Sequence, residues 1–334
     1  MKTHEILHKS LIKIVDDQPL VVDFFKMYGI DSKNNTNSFL QTIDAFPQDY
    51  WETNGISQDE FTDVFVDFMN GMQNAKSVQK IETLEVVAGY DKNKNPEPCN
   101  LLLKPGEIIC IVGPTGSGKS RLLADIEWLA NADTPTKRKV LLNGILPDED
   151  MKNNFGGKLI AQITQNMNFV LDMDVQSFLM LHAQSRYLDD AETKVQEVIE
   201  LANNLSGERF DVNTPVTFLS GGQSRALMIA DVACIGQAPI VLIDEIENAG
   251  VDKKKALELL ISQEKIVLMA THDPLLILQA DRRVVIKNGG MQKILVTNEN
   301  EKAFYSELKK LDETMQAARN FFRTGNEMTS KGFS

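Results

Sequence analysis

The stretch "EIICIVGPTGSGKSRLLADIEWLA", residues 107–130, decides the fold. It opens with a short apolar, β-branched run, turns through three glycines and continues at helical spacing, so it reads as strand, turn and helix. Gly113, Pro114, Thr115, Gly116, Ser117, Gly118, Lys119 and Ser120 fit G-x-x-x-x-G-K-[ST] in the strand-to-helix context that this motif requires. The glycines let backbone N–H groups turn inward around a β-phosphate, and the helix N-terminus adds a favourable dipole. Lys119 then reaches the β- and γ-phosphates, and Ser120 holds Mg²⁺. A glycine-rich turn arising by chance explains this poorly, because motif and context agree.

Outward from that loop, "VQKIETLEVVAGY", "KVLLNG", "KLIAQITQ", "PIVLID", "KIVLMATHD" and "RRVVIKNGGMQKILV" read as strands alternating with helical stretches. That is an α/β pattern, with "NGG" (288–290) as a hairpin turn. It spans residues 80–300, with a mostly helical insertion at 172–235. A tail, 301–334, carries Phe304, Leu308, Leu311, Met315, Ala318 and Phe322 at alternating steps of four and three. Such a stripe is either a short coiled-coil seam or, more commonly, a face docked on its own domain; docking is the expectation.

Residues 1–75 read as a separate helical module. Asp17 is expected as an N-cap, Pro19 in a first turn and Gly29 as a stop. Ser57 and Glu60 form a capping box ahead of Phe61, Val64, Phe65, Phe68, Met69 and Met72, which read as the module's own core. This stretch holds five lysines, no arginine and twelve acidic residues, and the whole chain carries −12. That balance argues against sequence-independent binding of nucleic acid or anionic lipid. The acidic front serves solubility or presents a docking face to a basic protein. Cys99, Cys110 and Cys234 make no metal spacing, and no apolar run is long enough to span a bilayer, so a reduced, cytoplasmic protein is expected.

"PIVLIDEIE" ends an apolar strand on two acids. Beside a phosphate loop, Asp244 reads as a Walker B metal ligand and Glu245 as the general base that polarises the attacking water. Leu219–Gln223 spells LSGGQ, with Ser220 lying 24 positions ahead of Asp244. Here the sequence resembles the ABC-type ATPases over about residues 80–300, with the main motifs in chain order. The resemblance implies a P-loop NTPase core of ABC type, with an antiparallel β subdomain and a helical subdomain, preceded here by a small all-α domain. It implies that Ser220, Gly221, Gly222 and Gln223 of one chain close over the γ-phosphate held by the Walker A loop of another, in a head-to-tail homodimer. It places His272 as the γ-phosphate switch, Gln165 (with Gln162 the weaker candidate) as sensor of Mg²⁺ and water, and Tyr90 against adenine. Asp252 becomes the D-loop aspartate that communicates between the two ATP sites.

Three departures stand out: Arg121 where the family has threonine, Ile246 where it has proline, and a short helix between Asp252 and His272. Arg121 is expected to pair within the dimer. Two roles fit the resemblance. The first is an ATPase that remodels, assembles or activates a soluble protein partner, like those of iron–sulfur cluster assembly or metalloenzyme activation. The alternative is the nucleotide-binding subunit of a membrane transporter whose permease is a separate chain. The acidic module and the atypical D-loop lean to the first. The module also resembles the start of helical domains in some iron–sulfur repair proteins, without their cysteines. No nucleic-acid partner is expected, since there is no basic stripe.

Overall fold

The computed structural model describes residues 6–18, 21–32, 34–76, 80–148, 151, 159–164, 169–186, 188, 190–244 and 250–325. The chain divides into two units, 1–78 and 79–334.

The first unit is helical: α1 (Leu11–Asp17), α2 (Val21–Met27), α3 (Phe39–Asp44), α4 (Gln48–Asn54) and α5 (Gln58–Lys76). Ser57 and Glu60 form the expected box at the start of α5, the Ser57 N–H donating to Glu60 Oε2 at 2.9 Å and the Glu60 N–H to Ser57 Oγ at 3.3 Å. Phe61, Phe65 and Met69 then fall on one buried face, stacked with Phe25 and Phe39, while Val64 stays exposed. Asp17 is not an N-cap. It closes α1, because Leu11 and Ile14 already form a buried helical face that begins after Ser10. Gly29, at φ +66°, ends α2 as expected, while Pro19 and the side chain of Met72 lie outside the described residues.

The second unit is built on a six-stranded sheet, order β5-β6-β7-β3-β8-β9. Its strands are β3 (Ile108–Val112), β5 (Ile160–Ile163), β6 (Ile240–Asp244), β7 (Ile266–Ala270), β8 (Arg282–Lys287) and β9 (Gly290–Val296). All pairs are parallel except β8–β9, a hairpin whose turn residues Asn288 and Gly289 both have positive φ. That conformation matches the right-handed strand twist and explains the Asn-Gly pair. Central strands are covered on both faces, as parallel sheets demand. Ile108 and Cys110 enter one apolar cluster, with the helical subdomain, and Ile109 and Ile111 enter the other. The second cluster joins a three-stranded antiparallel sheet of β2 (Leu101–Leu103), β1 (Leu84–Val87) and β4 (Lys139–Leu142) to α6 (Lys119–Glu127).

The helical subdomain comprises α7 (Val175–Ser185), α8 (Ala191–Leu205) and α9 (Gly221–Cys234). Then follow α10 (Lys253–Ser262), α11 (Pro274–Gln279) and the long α12 (Glu299–Arg323). The base of α12 is anchored, with Glu301 paired to Arg283 and Tyr305 Oη accepting from Gln279 at 2.6 Å. Beyond its half-buried base at Leu308, its apolar stripe does not dock on its own domain: Leu311 is 63% exposed, Met315 56% and Phe322 54%, and even Phe304 is 51% exposed.

Candidate active site

In an open parallel sheet, ligands gather beyond the carboxyl ends of the strands. Here β6, β7 and β3 are neighbours, with Asp244 opposite Ala270 and Ala270 opposite Ile111. The register therefore brings three chain segments together: Asp244 at the end of β6, Thr271–His272 after β7, and the glycine turn after β3.

The turn has no room for side chains at its start. A Cβ on Gly113 would sit 2.4 Å from the Ile286 carbonyl, and Gly118, at φ +108°, takes a conformation that L residues rarely adopt. Lys119 is buried and donates to the carbonyls of Gly113 (3.0 Å) and Pro114 (3.4 Å). Its Nζ also lies 3.0 Å from His272 Nε2. An ammonium has only donors, so that imidazole nitrogen accepts. Ser120 Oγ donates to Asp244 Oδ2 at 3.3 Å. A hydroxyl and a carboxylate at this separation suit two neighbouring positions on a hard cation such as Mg²⁺, which takes its other ligands from phosphate and water. The donor set fits the metal that the sequence implies. Gln165 and Glu245 lie outside the described residues, and Gln162 sits in β5.

On the other flank, Tyr90 is 47% exposed, with its N–H bonded to the Thr136 carbonyl at 2.7 Å. Asp91 shapes the turn that follows, accepting from the Asn95 and Asn93 N–H groups and from the Asn288 amide; these bonds hold its carboxyl below the usual range, led by that from Asn95. Lys92 Nζ donates to the Gly116 carbonyl at 3.1 Å, and the Gly289 N–H to the Ser117 carbonyl at 2.7 Å. Beneath them Arg138, with no exposed surface, donates to both oxygens of Glu97 (2.6 and 3.2 Å), to Asp125 (2.9 Å) and to the Gly289 carbonyl (2.9 Å). Glu97 also accepts from the Gly89 N–H at 2.8 Å. One buried guanidinium thus ties the approach to Tyr90, the β8–β9 turn and α6 together.

Within its own chain Arg121 pairs inside its helix. Its Nε lies 3.1 Å from Asp125 Oδ1, off line for a directed hydrogen bond, so the contact is ionic. Its guanidinium carbon is 5.6 Å from the Trp128 ring centroid. The physical reason is spacing: Arg121 and Asp125 are one turn apart, and Asp125 is buried.

Ser220 and Gln223 start α9 with a capping box, the Ser220 N–H donating to Gln223 Oε1 at 2.8 Å and the Gln223 N–H to Ser220 Oγ at 3.3 Å. The Gln223 side chain is thereby committed to its own helix and to the Glu208 and Arg209 carbonyls. Ser220 and Gly221 remain exposed with helix N–H groups beside them. Gly250 lies against Gly222, the Asp252 N–H bonds the Leu205 carbonyl, and Asp252 caps α10 through the Lys255 N–H. Lys253 then bridges to Asp273, next to His272, at 2.6 Å. Among the described residues, no hydrogen bond joins Ser220–Gln223 to Gly113–Ser120.

A family model for ABC transporters matches residues 97–248. The chain is 51% identical, over 256 residues, to an uncharacterized ABC transporter ATP-binding protein of Methanocaldococcus jannaschii; the match covers 76% of this chain and 98% of that protein. The chain belongs to the ABC family of ATPases. Other ABC proteins are more distant. The lipoprotein-releasing system ATP-binding protein LolD of Psychrobacter arcticus is 29% identical over 236 residues, covering 66% of this chain and 98% of LolD. The macrolide export ATP-binding/permease protein MacB of Campylobacter fetus is 29% identical over 232 residues, 67% of this chain but 35% of MacB. Among solved structures, an ATP-binding subunit of an ABC transporter shares the fold, with a TM-score of 0.51 and 20% identity over 66% of this chain and 92% of that one.

In this ABC ATPase, the network around Arg138 was not legible from motifs. Its members, Glu97, Asp125 and Arg138, share no spacing, and Arg138 stands in the basic run Lys137–Lys139, which gave no hint of burial. Arg138→Met is expected to destabilise the fold by roughly 3–5 kcal/mol, because two carboxylates lose their buried partner. Chemical denaturation would measure it, with Arg138→Lys recovering charge but not the fork.

Proposed function

We propose that the chain is the ATP-hydrolysing subunit of a membrane ABC transporter whose permease is a separate polypeptide, working on the cytoplasmic side as a head-to-tail homodimer. The single observation that carries the ATP site is the convergence of Lys119 with His272 and of Ser120 with Asp244 at adjoining strand ends. Lys119 binds the β- and γ-phosphates, Gly113–Gly118 surround them with N–H groups, and Tyr90 receives the adenine ring by stacking. Ser120 and Asp244, with Gln165, hold Mg²⁺, which when bound neutralises phosphate charge. Glu245 takes the proton of the attacking water, and His272 binds the γ-phosphate. Ser220, Gly221 and Gly222 of the second chain complete the site as a helix N-terminus aimed at an anion, while Asp252 reports one site's state to the other.

The transporter reading draws on the relatives' printed names and on LolD, an ATP-binding protein of similar length to the cassette unit. None of the relatives named above points to the soluble remodelling partner expected from the acidic module. No described helix is long and apolar enough to cross a membrane. Glu245→Gln with MgATP, cross-linked in native cells, should capture a multi-span membrane protein with or without residues 1–75. Capture of a soluble enzyme by the full chain alone would overturn the reading.

A further inference from the structure

The apolar stripe of α12, whose base shares a face with the anchor Glu301 and lines a groove against α11, carries Phe304, Leu308, Leu311, Met315, Ala318 and Phe322, four of them more than half exposed. Exposed apolar residues in a contiguous stripe mark an interaction surface. The steps of four and three are those of a coiled-coil seam, alternating between the two core positions of a heptad. We infer that α12 pairs with the α12 of a second copy, antiparallel, so that the chain is a dimer before any nucleotide binds.

The stripe specifies this occupant because it is complementary to its own reverse. Aligning Leu311 with the partner's Met315 sets Leu308 against the partner's Ala318 and Phe304 against the partner's Phe322. Every seam residue meets another, and the large Leu308 faces the small Ala318. The ends match as well. Beside Phe304 and Leu308 lies an apolar groove of about 560 Å³ lined by Pro274, Ile277 and Leu278, and at the other end of the helix the two rings of Phe321 and Phe322 pack edge to face. The antiparallel register delivers the partner's Phe322 to that groove.

Charge selects the direction. In the antiparallel pair the flanking positions place Tyr305 beside the partner's Arg319, and one like-charge pair remains, Asp312 with its own copy near the two-fold axis. A parallel pair would place Glu307 beside the partner's Asp312 on both sides and lose the Tyr305–Arg319 contact. Antiparallel helices also set each N-terminus next to a C-terminus, which the backbone dipoles favour. The pairing is isologous and closes on itself, so it yields a dimer and not a filament. It uses none of the ATP-site residues and stands whatever the transported cargo.

The test is sedimentation velocity on the full chain at micromolar concentration, in EDTA and without nucleotide. The expected result is a dimer, converted to monomer by Leu311→Glu combined with Met315→Glu. The dissociation constant should rise at least about 100-fold, since charges enter an apolar seam. Both positions are exposed in the single chain, so the variant folds and keeps its nucleotide binding as a control. An equimolar mixture of Phe304→Cys and Phe322→Cys chains should form a cross-chain disulfide that neither forms alone. A monomeric wild-type chain, or a double-glutamate variant that stays dimeric, would overturn the proposal. Self-cross-linking of Phe304→Cys would overturn the antiparallel arrangement.

Discussion

Lys119→Ala is expected to reduce ATP turnover by about 10²–10³-fold or more, the scale set by removing one preorganised charge from a developing oxyanion. The argument is geometric. Lys119 is buried at the mouth of the glycine turn, bonded to two carbonyls of its own loop and to His272, and is held in place by α6. Its ammonium is therefore fixed by the protein, and phosphate charge meets a positive group that needs no reorganisation. Alanine leaves the turn itself intact, because the positive φ values of Gly116 and Gly118 and the Gly289–Ser117 backbone bond do not depend on the side chain. Loss of turnover with an unchanged melting temperature is the expected pair of results. Turnover within a factor of a few of wild type would remove Lys119 from the site.

His272→Ala gives a useful contrast. It should leave Lys119 its two carbonyl acceptors but free it from the imidazole, so nucleotide binding persists while turnover falls. The ratio of the two effects separates a group that holds charge from one that orients it.

How much of this could be read from the chain depended on whether the physics was local. The glycine turn was legible because a phosphate cradle needs glycines at fixed offsets between a strand and a helix, and those residues are contiguous. The capping box at Ser57 was also legible, since it closes within four residues, whereas Ser220 and Gln223 were read only as a phosphate-binding signature and their box emerged from the structure. Asp17 misled because an acid beside an apolar run can end one helix as readily as begin the next; the deciding burial of Leu11 and Ile14 lies upstream. The partner of Arg121 inside its own chain needed only helix spacing, since Asp125 lies one turn away. The Arg138 network was beyond reach, because it joins positions 97, 125, 138 and 289 through tertiary packing alone. The α12 stripe was legible as a pattern, while its exposure required the structure: Tyr305, on another face, is the residue bonded to α11.

The composite site yields the most discriminating result. Lys119→Ala and Ser220→Arg should each be inactive alone, and co-expression of the two chains should restore up to about a quarter of wild-type turnover, because half of the two-fold dimers are then mixed and each mixed dimer holds one complete site. In a mixed dimer both lesions fall in the same site, the damaged Walker A loop of one chain facing the damaged signature of the other. The remaining site joins the intact Lys119 of the Ser220→Arg chain to the intact Ser220 of its partner. The structure supports this division, since Ser220 and Gly221 are exposed and no described hydrogen bond links them to their own chain's glycine turn. Ser220→Arg costs the α9 cap, roughly 1 kcal/mol, too little to unfold the unit. If both motifs served the same chain, mixing two dead chains would give a dead mixture. Purified mixed dimers, isolated with two different affinity tags and assayed with MgATP, decide between the two arrangements.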